Sequence, residues 1–225
     1  MRSLQEKHLK NIKTSHFRVP LKDFTMSKAQ TQLIFVIDPM CSWCWGFHPV
    51  IEKIRKEYAH LYTCSVLVGG LRTSGQMIWN EQSRAYLKQN WDAVQKETGQ
   101  VFNAKLLNLT HFDYDTYPAC KAIVTVRALS GESIAFEYLT VIQSAFYNHG
   151  IDISSIDVLS SYVSKDKEAF LSFYKSERAE ILMQHDFSKA RSMGVNDFPS
   201  TVKIDCQGHM QCLNGYRPLE EVLNV

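Results

Sequence analysis

Hydrophobic positions recur with two different periods along the chain, and the change of period divides it into three parts. Residues 33–37 (LIFVI) form a short apolar run that predicts one buried strand. From Cys41 the apolar positions follow helical spacing, and residues 61–68 predict a second strand. Because a strand, a helix and a strand within about 38 residues form a βαβ unit, the two strands are expected to be parallel.

The long middle of the chain has helical periodicity. It predicts five helices, at residues 76–98, 117–129, 132–147, 156–163 and 167–183, and Gly131 fits the end of the second. The strand pattern returns after Gly194, where a hairpin at residues 200–205 and 209–213 and a final short helix at 218–223 are predicted. The predicted fold class is therefore α/β, with an all-helical insertion.

Composition excludes several classes of protein. The longest apolar run has five residues, far below the roughly 20 that span a bilayer, so no membrane partner is expected. The 25 basic and 23 acidic side chains leave a net charge of +2, which gives no electrostatic case for nucleic acid. The hydrophobic content of 45% is typical of a globular chain, and six cysteines in 225 residues are too few for a disulfide scaffold.

The first 30 residues differ from the rest of the chain. Residues 1–25 hold six basic and two acidic side chains and no apolar core of a secretory signal. Residues 1–30 are therefore expected to be a disordered extension or an over-long start, since Met26 offers a second start. The expected location is cytoplasmic, where thiols stay reduced and paired cysteines tend to be catalytic or metal-binding.

The candidate chemistry lies in the motif Cys41-Ser-Trp-Cys44. Its first cysteine falls at the entry to a helix, where unpaired backbone amides and the helix dipole favour a thiolate. Cys44 follows one turn later on the same face, so it can attack a mixed disulfide formed by Cys41. A CxxC motif that follows a strand and opens a helix in a βαβ unit indicates redox chemistry.

The other four cysteines allow several interpretations. Cys206 and Cys212 flank a predicted turn, so they form either an accessory redox pair or two ordinary thiols near a sheet edge. Together with His209 they supply three zinc ligands and no clear fourth, and no metal is predicted. The remaining two, Cys64 and Cys120, are interpreted as small buried hydrophobic residues.

Residues 38–47 (DPMCSWCWGF) resemble the DsbA-like branch of the thioredoxin superfamily, in particular its FrnE-like members, described as predicted protein-disulfide isomerases. Pro49 is similar to the proline that kinks the active-site helix of thioredoxins, and residues 194–202 (GVNDFPSTV) resemble the superfamily's cis-proline loop. The resemblance covers residues 31–225. It implies a thioredoxin-like domain at residues 31–71 and 186–225, interrupted by the helical insertion domain at residues 72–185.

The same resemblance implies the substrate site. A cis bond between Phe198 and Pro199 is expected to turn the backbone of Phe198 toward Cys41, where it can pair with an extended substrate strand. Trp43 is expected to line an apolar surface beside the thiols. It replaces the histidine of the periplasmic oxidants, so no strongly oxidising potential is predicted and the direction of electron flow stays open. Asp38 is interpreted as a turn cap, with a proton relay as the alternative.

Three functions remain open at this point. The first is a thiol–disulfide oxidoreductase, similar to a protein-disulfide isomerase, with Cys41 as nucleophile and Cys44 as resolving thiol. It needs no cofactor, and its partners are protein or small-molecule thiols and disulfides, with glutathione as a possible redox partner. The second is a glutathione-dependent isomerase or transferase, like kappa-class transferases and hydroxychromene carboxylate isomerases. The third is a non-catalytic adaptor, which leaves both cysteines unexplained. The oligomeric state is not predicted.

Overall fold

The computed structural model describes residues 30–73 and 77–224, and its centre is a four-stranded sheet. The strands are β1 (Thr31–Ile37), β2 (Tyr62–Val68), β3 (Ser200–Ile204) and β4 (Met210–Asn214). Their order is β2-β1-β3-β4, with β1 parallel to β2 and both other pairs antiparallel. Helix α1 (Ser42–Glu57) connects the parallel strands, so the predicted βαβ unit and hairpin are confirmed.

The remaining helices lie mostly between β2 and β3. They are α2 (Glu81–Thr98), α3 (Tyr117–Tyr147), α4 (Ile156–Ser161), α5 (Lys167–Tyr174) and α6 (Glu177–Ser192), with a 3-10 helix at Ala104–Asn108 and a final α7 (Leu219–Leu223). This order confirms the thioredoxin-like α/β fold with a helical insertion. No helix in residues 30–73 and 77–224 is long and apolar enough to cross a membrane.

Two helix boundaries differ from the sequence prediction, and a third agrees with it. The helix expected from residue 76 begins at Glu81, because Asn80 and Ser83 form a reciprocal capping box there. The helix expected at residues 167–183 is two helices, since the Ser176 side chain accepts the amide of Ala179 and starts α6. Gly131 breaks α3 as expected, with a φ of 84° that suits glycine.

The division into domains stays a prediction. Helix α6 runs continuously through the expected boundary at residues 185/186. Its last turns pack on one face of the sheet, where Ala190 and Met193 join a buried cluster with Val36 of β1 and Val202 of β3. The expectation for the N-terminal extension lies, except for Gln30, outside the described residues.

The central strand β1 is buried on both faces, which explains its continuous apolar run. On the face opposite α6, Phe35 makes edge-to-face contacts with Phe47 of α1 and Phe136 of α3 at centroid distances of 6.0 and 6.2 Å. Helices α1 and α3 therefore cover this face. The contact between Phe35 and Phe47 also holds the start of α1, which carries the CxxC motif, against β1.

Side chains from the helices cover the free edge of β2. The Val66 amide donates to the Glu132 carboxylate at 3.0 Å, and the Val68 amide donates to Asp186 at 3.2 Å. Arg127 donates to the Val66 carbonyl and makes two hydrogen bonds with Asp186, at 2.7 and 2.8 Å. An exposed strand edge is a template for pairing with other chains, so this cluster protects the sheet.

Candidate active site

Cys41 lies where the loop after β1 meets the first turn of α1. It is the N-cap of the helix, with extended backbone. Its amide donates to the Asp38 carbonyl, and its carbonyl accepts the amide of Trp45, both at 3.1 Å. The residue is 6% exposed, against 1% for Cys44 one turn further on. Cys41 therefore has the predicted position at a helix N-terminus, and it is the more accessible of the two thiols.

A second loop meets Cys41 from a distant part of the sequence. The Phe198–Pro199 peptide bond is cis, as expected. The Cys41 Sγ lies 3.6 Å from the Phe198 carbonyl oxygen, within reach of a sulfur hydrogen bond. Pro199 is buried directly before β3, and Phe198 is half-buried. The fold thus brings together the two segments that the sequence analysis assigned to the site.

A groove opens beside these two loops. Its cavity has a volume of about 420 Å³ and is lined by Trp43, Glu97, Asp197, Phe198, Gly215 and Tyr216. The Trp43 and Tyr216 rings are in contact, with centroids 5.6 Å apart. Trp43 therefore forms part of an aromatic wall next to the thiols. Tyr216, which follows β4, was not singled out by the sequence because nothing local distinguishes it.

Cys44 occupies a different environment from Cys41. Its Sγ accepts the backbone amide of Asp38 at 3.4 Å. Burial raises the pKa of the Cys44 thiol well above its ordinary value of 9.0, and the neighbouring Cys41 sulfur raises it further. Cys44 is consequently held as a thiol at neutral pH, which suits a group that reacts second.

Asp38 is completely buried beneath the motif. Its Oδ1 accepts the Met40 amide at 2.8 Å, which is the turn-capping contact expected from the sequence. Its Oδ2 accepts the Leu71 amide at 2.7 Å and the Cys120 thiol at 3.5 Å. Burial raises the pKa of the carboxyl, although these hydrogen bonds oppose the shift. Cys120 is buried as expected, but its thiol contacts the Asp38 carboxyl beneath the CxxC motif.

A side-chain hydrogen bond from Gln100, just after α2, supports α1 where Pro49 interrupts its hydrogen bonding. Pro49 lies inside α1 and has no amide to donate to the Trp45 carbonyl four residues earlier. The Gln100 side chain donates to that carbonyl at 2.9 Å instead. Gly46 lets the two helices approach closely, since a Cβ there would lie 2.7 Å from a Val94 methyl group. The proline is recognisable in the sequence, whereas its partner Gln100 lies 51 positions away and no local pattern marks it.

Two buried tyrosines pack around the motif. The Tyr114 hydroxyl donates to the carbonyl of Met40, the residue before Cys41. Tyr147 stacks on Trp45 with a centroid distance of 5.9 Å, and the Trp45 indole donates to the Val101 carbonyl at 3.1 Å. Burial raises the pKa of both phenols. Neither tyrosine lies in a recognisable motif, so no sequence signal connects it with the cysteines.

The fold does not bring Cys206 and Cys212 together. Cys212 of β4 pairs with Val202, whereas Cys206 lies beyond Ile204, the last paired residue of β3. Four residues along a hairpin correspond to about 13 Å, and a disulfide needs Cα atoms within about 7 Å. Both cysteines are free thiols. Among the described residues, no group of three or more His, Cys, Asp or Glu side chains is arranged to hold a metal ion.

A sheet of this topology, with a CxxC motif at a helix N-terminus facing a cis-proline loop, defines a thioredoxin-fold protein. The thioredoxin family model matches residues 34–222, so the chain belongs to the thioredoxin family. It is similar to a "putative protein disulfide isomerase" of Nitrosomonas europaea, with 30% identity and a TM-score of 0.76 over 87% of this chain and 96% of that one. The resemblance to the DsbA-like branch is confirmed.

Two further relatives have different descriptions. The cytosolic disulfide reductase DsbM of Pseudomonas aeruginosa has 23% identity and a TM-score of 0.68, over 81% of this chain and 88% of that one, and its structure is also known with GSH. The ClpXP adapter protein SpxH of Shouchella clausii is 24% identical over 78% of this chain. The chain spans 58% of the length of that adapter.

Proposed function

We propose that this protein is a thiol–disulfide oxidoreductase in which Cys41 is the nucleophile and Cys44 the resolving thiol. The observation that carries the proposal is the unequal environment of the two sulfurs. Cys41 caps a helix and has some exposure, whereas Cys44 is buried and its pKa is raised. Such a difference suits two thiols that react in a defined order.

In the first step, the Cys41 thiolate attacks one sulfur of a substrate disulfide. The substrate S–S bond breaks, a mixed disulfide forms on Cys41, and the other substrate sulfur leaves as a thiolate that takes up a proton. Trp43, Phe198 and Pro199 are the proposed substrate contacts. The Phe198 carbonyl lies 3.6 Å from Cys41 Sγ, and Trp43 forms the wall of the adjoining groove.

In the second step, Cys44 loses its proton and attacks Cys41 Sγ. The mixed disulfide breaks, the second substrate thiol leaves, and a Cys41–Cys44 disulfide forms. The substrate has gained two electrons and the enzyme pair has lost two. The proton of Cys44 passes to solvent, and the Asp38 backbone amide, which donates to Cys44 Sγ at 3.4 Å, stabilises the thiolate as it forms.

The test is reduction of insulin disulfides in the presence of a small thiol. We expect the wild-type protein to accelerate the reaction and Cys41→Ser to abolish the acceleration. Cys44→Ala should instead accumulate a mixed disulfide that mass spectrometry detects. Cys206→Ser is the matched control, since Cys206 is an exposed thiol outside the motif, and it should keep full activity. Undiminished activity in Cys41→Ser would refute the proposal.

The proposed location is the cytoplasm, and the proposed partners are protein and small-molecule thiols and disulfides. Glutathione is the small thiol considered as redox partner, and no other cofactor is required by the two steps above. The glutathione-dependent isomerase alternative is less well supported, because isomerase chemistry does not need the resolving thiol Cys44. Rapid oxidation of the pair by a disulfide, with release of two thiols, distinguishes the oxidoreductase from it.

An adapter is the second candidate function, favoured by the curated SpxH relatives. An adapter acts by binding, so its activity does not require sulfur chemistry. The adapter is supported if the wild-type protein does not accelerate insulin reduction and the double variant Cys41→Ser, Cys44→Ser still binds a protein partner as the wild type does. Loss of insulin reduction in the same variant supports the enzyme.

A further inference from the structure

The groove beside Cys41 carries negative charge as well as aromatic rings. Glu97, at the C-terminal end of α2, and Asp197, in the cis-proline loop, both line it and both are exposed. Their position at the rim leaves the carboxylates available to a ligand. The aromatic wall of Trp43, Phe198 and Tyr216 forms the rest of the surface.

The electrostatics of Tyr216 give a second indication of the charge in the groove. The pKa of its phenol is raised by burial, and the carboxylates of Glu97 and Glu220 raise it further. The ring therefore experiences a negative field from two separate helices. Because clefts focus the field of the charges that line them, this sign of charge should attract cations to the groove.

Of the described residues that line the groove, none is basic. Arg217 follows Tyr216 in the chain, but its guanidinium lies 3.5 Å from the Glu221 carboxylate and donates to the Asn214 carbonyl at 3.3 Å. Its charge is thus matched by a carboxylate of its own. The groove retains a negative balance from Glu97 and Asp197.

We propose that this groove selects disulfides flanked by positive charge, namely a cystine within a basic peptide segment, and disfavours anionic disulfides such as oxidised glutathione. The inference rests on the proposed function and adds the substrate class. Aromatic rings pack against the stem of a lysine or arginine and attract its charged group, while the two carboxylates complement that charge. Glu97 and Asp197 are the specificity-determining residues.

The cationic probe is cystamine, a small disulfide with an ammonium group at each end. The Cys41 thiolate attacks one sulfur of cystamine, the S–S bond breaks, and cysteamine leaves and takes up a proton. Cys44 then attacks Cys41 Sγ and releases a second cysteamine. The probe is reduced by two electrons and the cysteine pair is oxidised by two. Reaction of the fully reduced protein in a single turnover needs no other reactant.

The experiment compares the second-order rate constants for oxidation of the reduced protein by cystamine, uncharged hydroxyethyl disulfide and oxidised glutathione. Each rate constant is divided by the rate constant for reaction of the same disulfide with a small model thiol. This ratio removes differences in the intrinsic reactivity of the three disulfides. At low ionic strength we expect cystamine to be favoured over oxidised glutathione by about tenfold. This preference should fall as salt is added, because both carboxylates are exposed and their field is screened.

Two variants and a control assign the preference to the groove. Glu97→Gln and Asp197→Asn should each slow oxidation by cystamine about threefold, the effect of one charge at about 6 Å in a solvent-like dielectric, and should reduce the preference by at least that factor. Asn at 197 keeps the oxygen that accepts the Phe198 amide at 2.8 Å. The control Glu177→Gln removes the same charge from the exposed start of α6, outside the groove lining, and should leave the preference unchanged.

The outcomes separate the two proposals. If the protein reacts with all three disulfides without a charge preference, the proposed specificity is overturned. The same holds if both groove variants retain the preference. In either case the proposed oxidoreductase activity still stands. Failure of the reduced protein to react with any of the three overturns both. A preference that Glu177→Gln removes equally would show that net charge alone is responsible, which also overturns the role of the groove.

Discussion

The Gln100 side chain donates to the Trp45 carbonyl at 2.9 Å, the carbonyl that Pro49 leaves without a helical partner. The bond joins the segment after α2 to the turn that carries Cys44. A half-buried polar side chain is thus used to complete the hydrogen bonding of the active-site helix. This arrangement makes the helix depend on a residue 55 positions away.

Removing this donor should destabilise the protein. We expect Gln100→Met to reduce the free energy of unfolding by about 1–2 kcal/mol, because a partly buried carbonyl loses its partner. Urea unfolding measures the change. Gln95→Met, at an exposed position of α2, is the control and should have little effect.

A double-mutant cycle isolates the contact. In a Pro49→Ala background the residue at 49 regains an amide that can donate to the Trp45 carbonyl, so Gln100→Met should cost less there by about 1 kcal/mol. Equal costs in the two backgrounds would show that Gln100 acts in some other way.

The close approach of α1 and α2 makes a second prediction. Gly46→Ala should cost about 1–3 kcal/mol of unfolding free energy, because its Cβ would lie 2.7 Å from Val94 Cγ1 and 3.0 Å from Thr98 Cγ2. The measurement is again urea unfolding. In a Val94→Ala background the clash is relieved, so the cost should fall by at least about 1 kcal/mol. An unchanged cost would exclude the clash as the cause.

The raised pKa of Cys44 predicts the pH dependence of the resolving step. Resolution needs the thiolate of Cys44, and the thiolate fraction grows about tenfold per pH unit below the pKa. Because that pKa lies well above 9.0, the rate should keep rising through pH 9. Dithionitrobenzoate at one equivalent reports it in a Cys206→Ser background, which removes the exposed competing thiol. Cys41 then releases the first thionitrobenzoate and Cys44 the second.

The control for this assay is Cys44→Ser, which should show only the first release. A resolving rate that levels off at or below pH 8 would contradict the burial of Cys44 as the dominant influence on its ionisation.

The cluster at the edge of β2 supports a fourth prediction. Asp186→Asn removes the nearer charge partner of Arg127 and leaves only Glu132, at 3.9 Å, in a site where the Asp186 side chain is 2% exposed and that of Arg127 15%. We expect a loss of about 3 kcal/mol in unfolding free energy. Hydrogen exchange should also accelerate at the Val68 amide, which donates to Asp186.

Lys88 and Asp92 provide the matched control. Their ion pair on α2 spans 2.7 Å, but both side chains are more than half exposed. Asp92→Asn should therefore cost less than about 1 kcal/mol, since water already solvates both groups. Similar costs for Asp186→Asn and Asp92→Asn would mean that burial of the β2-edge cluster contributes little.

Local patterns predicted most of the secondary structure. The run at residues 33–37 predicted β1 because a central strand, buried on both faces, needs apolar residues at every position. The helix at 167–183 was wrong as one element, because apolar spacing continues across Ser176 and only the capping contact with Ala179 shows the break. The domain boundaries stay a prediction, since α6 is one helix that packs on both the insertion and the sheet.

Short-range spacing and a recognisable motif were enough to predict the βαβ unit, the position of Cys41 at a helix N-terminus and the two segments of the candidate site. The family resemblance implied that the Phe198 backbone faces Cys41, whereas the burial of Asp38 and Cys44 and the Gln100 bond became visible only in the folded molecule. The fold also separated Cys206 from Cys212. These relationships depend on how whole helices and strands pack. The order of apolar and polar residues does not specify the distance between two side chains that are far apart in the chain.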